Sequence, residues 1–218
     1  MKKTTVIFDL DGTLLDTLED IAISSNHVLE CFDKKPIEVK KYRYLVGEGA
    51  LKLMQDILPD ACSEDVKKAL GFFEKHYAKQ YDKNTKLYGG ISKLLSFLQK
   101  RGYKMAILSN KPNSFTKLCA IKYLRNWNFD AVYGIRDNIP RKPDPAGAKE
   151  IMKELHVKPQ ECLFMGDTKI DMITAKSADI DSIGVLWGFR GIDELEKNGA
   201  NHIAESPELA IKLIDKIS

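Results

Sequence analysis

The chain has 218 residues, enough to fill one good hydrophobic core and a smaller second one. Hydrophobic residues make up 44% and charged residues 30%, an ordinary balance for a globular protein. The net charge of +3 argues against nucleic acid as a main partner, and no apolar run approaches the length of a membrane span, so neither kind of partner is expected.

In chain order, the first feature is Thr5-Val6-Ile7-Phe8, an apolar run that reads as a buried strand and stops at Asp9-Leu10-Asp11-Gly12-Thr13. Residues 17–86 then break with everything that follows. They contain no convincing strand, and apolar residues fall at helical spacing in three stretches: Ile21, Val28, Leu29 and Phe32; Leu51, Met54, Ile57 and Leu58; Val66, Leu70, Phe73 and Tyr77. Gly47-Glu48-Gly49 marks a break before the middle stretch. From about residue 85 onward, helices and strands alternate. Helices are expected at 91–100, 113–124, 145–155, 169–177, 192–197 and 207–217. Strands are expected at 103–108, 131–133, 162–165, 182–186 and 202–204. Such alternation predicts a parallel sheet with helices on both faces. The expected domains are an α/β core of residues 1–16 and 87–218 and a helical insert of 17–86. The insert balances twelve basic against twelve acidic residues, so the whole positive excess lies in the core.

The N-terminus runs directly into the first strand, which leaves no room for a signal peptide. Cys31, Cys62, Cys119 and Cys162 form no C-x-x-C pair, and His27, His76, His156 and His202 show no metal-ligand spacing. Buried, reduced thiols in a cytoplasmic protein are expected, with no disulfide and no zinc.

Four polar sites stand at equivalent places. Asp9 and Asp11 end the first strand. Ser109-Asn110 follow the 103–108 strand. Arg141-Lys142-Pro143-Asp144-Pro145 forms a stiff loop before a helix. Gly166-Asp167-Thr168, with Asp171 beyond, ends the 162–165 strand. A parallel sheet gathers its strand C-termini on one edge, so these groups can converge. Two carboxylates as close as Asp9 and Asp11 repel unless a cation neutralises them. Mg²⁺ is the natural candidate, a hard ion that takes carboxylate and phosphate oxygens. Gly12 permits a sharp turn and leaves amides to face an anion. Each site has an ordinary alternative: a solvated acidic turn for Asp9 and Asp11, a helix cap for Ser109-Asn110 or Asp167, and a solvated charge for Lys142.

Taken together and in this order, the four motifs resemble those of the haloacid dehalogenase superfamily of phosphohydrolases, and they span most of the chain. Asp11-Gly12-Thr13-Leu14-Leu15-Asp16-Thr17, Val46-Gly47-Glu48-Gly49 and Gly184-Val185-Leu186-Trp187-Gly188 are similar to segments of phosphoglycolate phosphatases within it. The resemblance implies a doubly wound, Rossmann-like α/β core with a helical cap inserted after the first strand. It also implies a Mg²⁺-dependent phosphatase of small phosphorylated metabolites. Asp9 would be the nucleophile and Asp11 the general acid and base. Mg²⁺ would be held by Asp9, Asp167 and the carbonyl of Asp11. Asp171, one helical turn after Asp167, would support the metal site or orient Lys142. Lys142, Ser109 and amides near Gly12 and Asn110 would offset phosphate charge. In the cap, Arg43 and Lys52 are candidates to read a substrate carboxylate. Tyr88-Gly89-Gly90 departs from the proline and glycine of relatives, and a looser second hinge is expected there. Competing readings are a pyrophosphatase or sugar phosphomutase of the same superfamily and, from another class, a phospho-accepting signalling domain. Neither a large helical insert nor Asp11 is needed by the last. Whether the protein is a monomer or a dimer is left open.

Overall fold

The structure, a computed structural model, describes residues 2–217. It divides the chain into two compact units, one made of residues up to Leu15 and from Leu87 onward, the other of Asp16–Lys86. The chain begins with β1 (Thr5–Phe8) and the two-residue β2 (Leu15–Asp16). The second unit then supplies α1 (Leu18–Cys31), a 3₁₀ turn (Val39–Tyr44), α2 (Ala50–Ile57) and α3 (Ser63–Gln80). β3 (Lys86–Leu87) follows and pairs with β2. The first unit resumes with α4 (Ile91–Lys100), β4 (Lys104–Pro112), α5 (Asn113–Tyr123), β5 (Ala131–Ile135) and α6 (Ala146–Glu154). It ends with β6 (Cys162–Gly166), α7 (Lys169–Ser177), β7 (Asp181–Val185), α8 (Ile192–Lys197), β8 (His202–Ala204) and α9 (Pro207–Ile217). Among the described residues, no helix is long and apolar enough to cross a membrane.

The six strands of the first unit form one parallel sheet in the order β5-β4-β1-β6-β7-β8. β1 is buried throughout and lies between β4 and β6, with Phe8 opposite Ile107 on one side and Met165 on the other. Continuous burial of β1 and β6 explains their unbroken apolar runs, since helices cover both faces of such a sheet. On one face, Ile7, Leu108 and Phe164 pack with Ile151 and Met152 of α6 and Ala175 of α7. The strand order turns back on itself at β1, so the crevice of an open α/β sheet opens beyond the C-terminal end of β1. The α/β core read from the alternation is therefore present.

β4 departs from expectation. It continues past Leu108 through Ser109 and Asn110 to Pro112, with a shift in its register with β5 between Leu108 and Pro112. Ser109-Asn110 thus lie inside an irregular strand and do not cap α5, which begins at Asn113. Gly90 takes a left-handed φ of +92°, and a Cβ there would come within 2.9 Å of the Glu208 carboxylate on α9. Close packing and turn geometry account for that glycine.

In the second unit, Asp20 of α1 is fully buried and accepts hydrogen bonds from the backbone N–H groups of Asn84 and Thr85 (3.0 and 2.9 Å), the Thr85 hydroxyl and the Gln80 amide. Burial pushes its pKa up, but these bonds outweigh it and hold the carboxyl below its ordinary range. Asn26 clamps the loop after α1 through Ile37 N–H and C=O and receives the buried Tyr42 hydroxyl. His27 and His76 stack at 4.4 Å between α1 and α3. All four cysteines are free, as expected, but Cys31 and Cys62 are exposed; only Cys119 and Cys162 match the expected burial.

Candidate active site

The four motifs do meet at one edge of the sheet, because β1, β4 and β6 run parallel and end together. Asp9 extends β1 by one residue, its N–H donating to Met165 C=O at 2.9 Å. Lys142, with a side chain only 2% exposed, reaches Asp9 Oδ1 at 2.9 Å and Asp171 Oδ1 at 2.7 Å. The Asn110 side-chain amide donates to Lys142 C=O at 2.9 Å, which ties the lysine loop to β4. Asn110 therefore positions Lys142 through its side chain. Ser109 is buried on the same strand.

Asp9, Asp167 and Asp171 place one carboxylate oxygen each within 4.8 Å of the others, and all three are buried. Asp167 accepts from the Thr13 hydroxyl (3.0 Å) and from Phe189 N–H (2.8 Å). Asp171 completes a capping box with Thr168 at the start of α7, accepting from the Thr168 N–H (3.0 Å) and hydroxyl (2.8 Å). With its other oxygen on Lys142, Asp171 orients the lysine. Two glycines make room for Asp167. A Cβ on Gly12 would lie 2.3 Å from Asp167 Oδ2, and one on Gly188 would lie 2.4 Å from Asp167 Cβ.

The Asp11 carboxylate stands outside this group. Both of its oxygens accept from Lys111 Nζ, at 2.8 and 2.9 Å. Any contribution of Asp11 to a metal site is thereby left to its main-chain carbonyl. Gly12 plays a different part from the one expected of its amide. At φ +88° it makes the turn, and its N–H donates to Leu15 C=O at 2.8 Å, so it is not offered to an anion. Among the described residues, the amides of Leu10 and Asp11 carry no such partner. Arg43 lies on the 3₁₀ turn of the second unit, 5.7 Å from the Tyr44 ring centroid, and Lys52 is paired with Asp56 along α2. Sequence reasoning missed Lys111 and gave Thr13 no role of its own; Trp187-Gly188-Phe189-Arg190, after a strand at the active edge, was a segment that could line the site or pack as an aromatic cluster.

The profile of the haloacid dehalogenase-like hydrolases matches residues 6–185. The chain belongs to that family. It is 30% identical over 205 residues to a phosphoglycolate phosphatase of Colwellia psychrerythraea, covering 91% of each protein. It is 33% identical over 216 residues to one from Pseudomonas putida, covering 94% of this chain and 75% of that one. Among solved structures, a protein from Lactobacillus delbrueckii subsp. bulgaricus superposes with a TM-score of 0.92 at 29% identity, covering 98% of this chain and 99% of that one. The chain is thus a phosphatase of the haloacid dehalogenase-like family, similar in sequence to phosphoglycolate phosphatases.

The charges in the phosphatase site fit a divalent cation. Lys111 neutralises Asp11, and Lys142 offsets one of the three clustered carboxylates, which leaves two buried carboxyls whose ionised forms have no counter-charge. Burial pushes Asp9 up to about 7 against the opposing pull of Lys142, and burial together with Asp9 and Asp171 pushes Asp167 well above its ordinary range. Lys142 is held above its ordinary range: burial opposes the ammonium, but Asp171 and Asp9 outweigh it.

The sign of the consequence follows from linkage. Between the unfolded carboxylate range near pH ~4 and the raised native values, the folded metal-free protein binds more protons than the unfolded chain. Its stability therefore falls as pH rises through that window, by up to about 1.4 kcal/mol per pH unit per group. Burial holds the His76 imidazole below its usual range, which acts in the opposite direction near neutrality, so a variant comparison is needed. In EDTA, the Tm of wild type should fall from pH 5 to 8 more steeply than that of Asp167→Asn, and Mg²⁺ should flatten the wild-type profile. Parallel profiles for the two proteins would contradict the assignment of these buried carboxylates.

Proposed function

We propose that the protein is a Mg²⁺-dependent phosphatase of small phosphorylated acids, with 2-phosphoglycolate as substrate, acting through an aspartyl-phosphate on Asp9. The observation that carries this reading is the separation of the two aspartates of one motif. Asp9 lies in the buried cluster with Lys142, Asp167 and Asp171, whereas Asp11 is held apart by Lys111. That arrangement suits two different jobs. Asp9 attacks phosphorus, and its oxygen replaces the ester oxygen. Asp11 gives the departing alkoxide its proton and later takes one from the water that attacks the acyl-phosphate.

Lys142 offers charge beside Asp9, while the Ser109 hydroxyl and the amides of Leu10 and Asp11 offer hydrogen bonds to the phosphoryl oxygens. Asp9, Asp167 and the carbonyl of Asp11 would hold Mg²⁺, with Asp171 fixing Lys142 behind them. When bound, the ion would neutralise the carboxylates and the phosphoryl charge together. Residues 17–86 serve as a cap that admits substrate and then excludes bulk water, with hinges near Asp16 and Tyr88. The choice of 2-phosphoglycolate rests on the names of the curated relatives.

A phosphate-release screen with Mg²⁺ tests the substrate. The expected result is turnover of 2-phosphoglycolate above sugar phosphates and pyrophosphate. Faster release from pyrophosphate or a sugar phosphate would overturn the substrate while leaving the chemistry of Asp9 in place.

A further inference from the structure

The first unit places a second buried lysine in the site. Lys111 lies on β4 two residues beyond Ser109, and its side chain is 3% exposed. It binds both oxygens of Asp11, whose side chain is 17% exposed and so is the accessible member of the pair. The two lysines are divided between the two aspartates. Lys142 pairs with Asp9 and Lys111 with Asp11, which the proposed mechanism makes the nucleophile and the acid for the leaving oxygen.

We propose that Lys111 determines substrate specificity by binding an anionic group of the leaving alcohol, namely a carboxylate two bonds from the ester oxygen. This deepens the phosphoglycolate reading and rests on it. A hydroxyl or an amide could hold Asp11 without burying a charge, and a buried ion pair is no stabiliser in itself. An ammonium supplies what those groups lack, positive charge next to the leaving group. Once the ester oxygen sits at hydrogen-bond distance from Asp11, a carboxylate two bonds further on falls within reach of an ammonium that already touches the same Asp11 oxygens. The ammonium then bridges Asp11 and the substrate carboxylate, so that the carboxylate orients the ester oxygen toward the acid. Recognition of the carboxylate is thereby located in the catalytic unit, separate from Arg43 and Lys52 of the second unit.

The test compares 2-phosphoglycolate with 2-hydroxyethyl phosphate, an alkyl ester of similar size without the carboxylate, in wild type, Lys111→Met and Lys111→Arg. A paired set of non-hydrolysable inhibitors, 3-phosphonopropanoate and propylphosphonate, reads binding alone, which loss of support for Asp11 would not shift between the two. Charge-assisted hydrogen bonds of this kind contribute roughly a tenfold to hundredfold preference. In Lys111→Met, the kcat/KM ratio of the two substrates and the Ki ratio of the two inhibitors should both fall by about that factor, with Lys111→Arg retaining most of each preference. If Lys111→Met fails to fold by circular dichroism, Lys111→Gln, which keeps the length and a donor, takes its place. A wild-type preference for 2-phosphoglycolate that survives unchanged in the variant overturns the role of Lys111 alone. No preference for the carboxylate in wild type overturns both this role and the phosphoglycolate reading.

Discussion

Asp9→Asn is expected to lower turnover by about 10⁴-fold or more while leaving the protein folded. Asparagine preserves the shape of the side chain but is a poor nucleophile, and both halves of the reaction pass through the bond that Asp9 forms. The fold should tolerate the change, because Asp9 is a destabilising group in the metal-free protein. It is buried beside Asp171 and Asp167, and its ionised form is opposed by burial. In EDTA at neutral pH, the Tm of Asp9→Asn should therefore equal or exceed that of wild type. A folded Asp9→Asn protein with wild-type turnover would remove the nucleophile from the mechanism.

Removal of the divalent cation is expected to lower turnover by at least about 10³-fold, with recovery on adding Mg²⁺. Without the ion, burial and mutual repulsion drive Asp9 and Asp167 toward their protonated forms, which blunts the nucleophile and removes the cation that would draw in the phosphate dianion. Ca²⁺ should restore activity poorly, since its looser coordination fixes the reacting groups less well than the near-octahedral shell of Mg²⁺. The same binding has a readout that needs no turnover. Mg²⁺ should raise the Tm of wild type in proportion to its saturation and raise that of Asp167→Asn much less. Full activity in excess EDTA would rule out the metal.

The core of this site was legible because three of the four motifs follow an apolar strand in sequence. Asp9 after Thr5–Phe8 and Asp167 after Cys162–Gly166 could be placed at a sheet edge from local pattern alone. The contacts made from far along the chain were not legible in that way. Lys111 meets Asp11 across 100 residues, and Phe189 N–H meets Asp167 across 22. A lysine in isolation reads as a solvated charge. Its role could have been suspected only if β4 had been read past Leu108, because the extended strand carries Lys111 beyond Ser109 toward the same edge. The Gly12 amide misled for a related reason. The glycine does mark a sharp turn, but the turn closes on Leu15 and consumes its own N–H, so that of the amides expected to face an anion those of Leu10 and Asp11 are the ones left. Gly188 was legible as part of a segment at the active edge, but its reason was not: a Cβ there would strike Gly12 C=O at 2.3 Å.

The covalent step through Asp9 is tested most directly by trapping the intermediate. Asp11→Asn, which loses the base for the second step, should accumulate the acyl-phosphate during turnover of p-nitrophenyl phosphate with Mg²⁺, because the p-nitrophenolate of the first step leaves without an acid. Borohydride reduces an acyl-phosphate to the alcohol, so peptide sequencing of the quenched protein should find homoserine at position 9 and intact aspartate at 167 and 171. Aspartate recovered intact at position 9 from protein quenched while turning over, or homoserine at another position, would contradict the account.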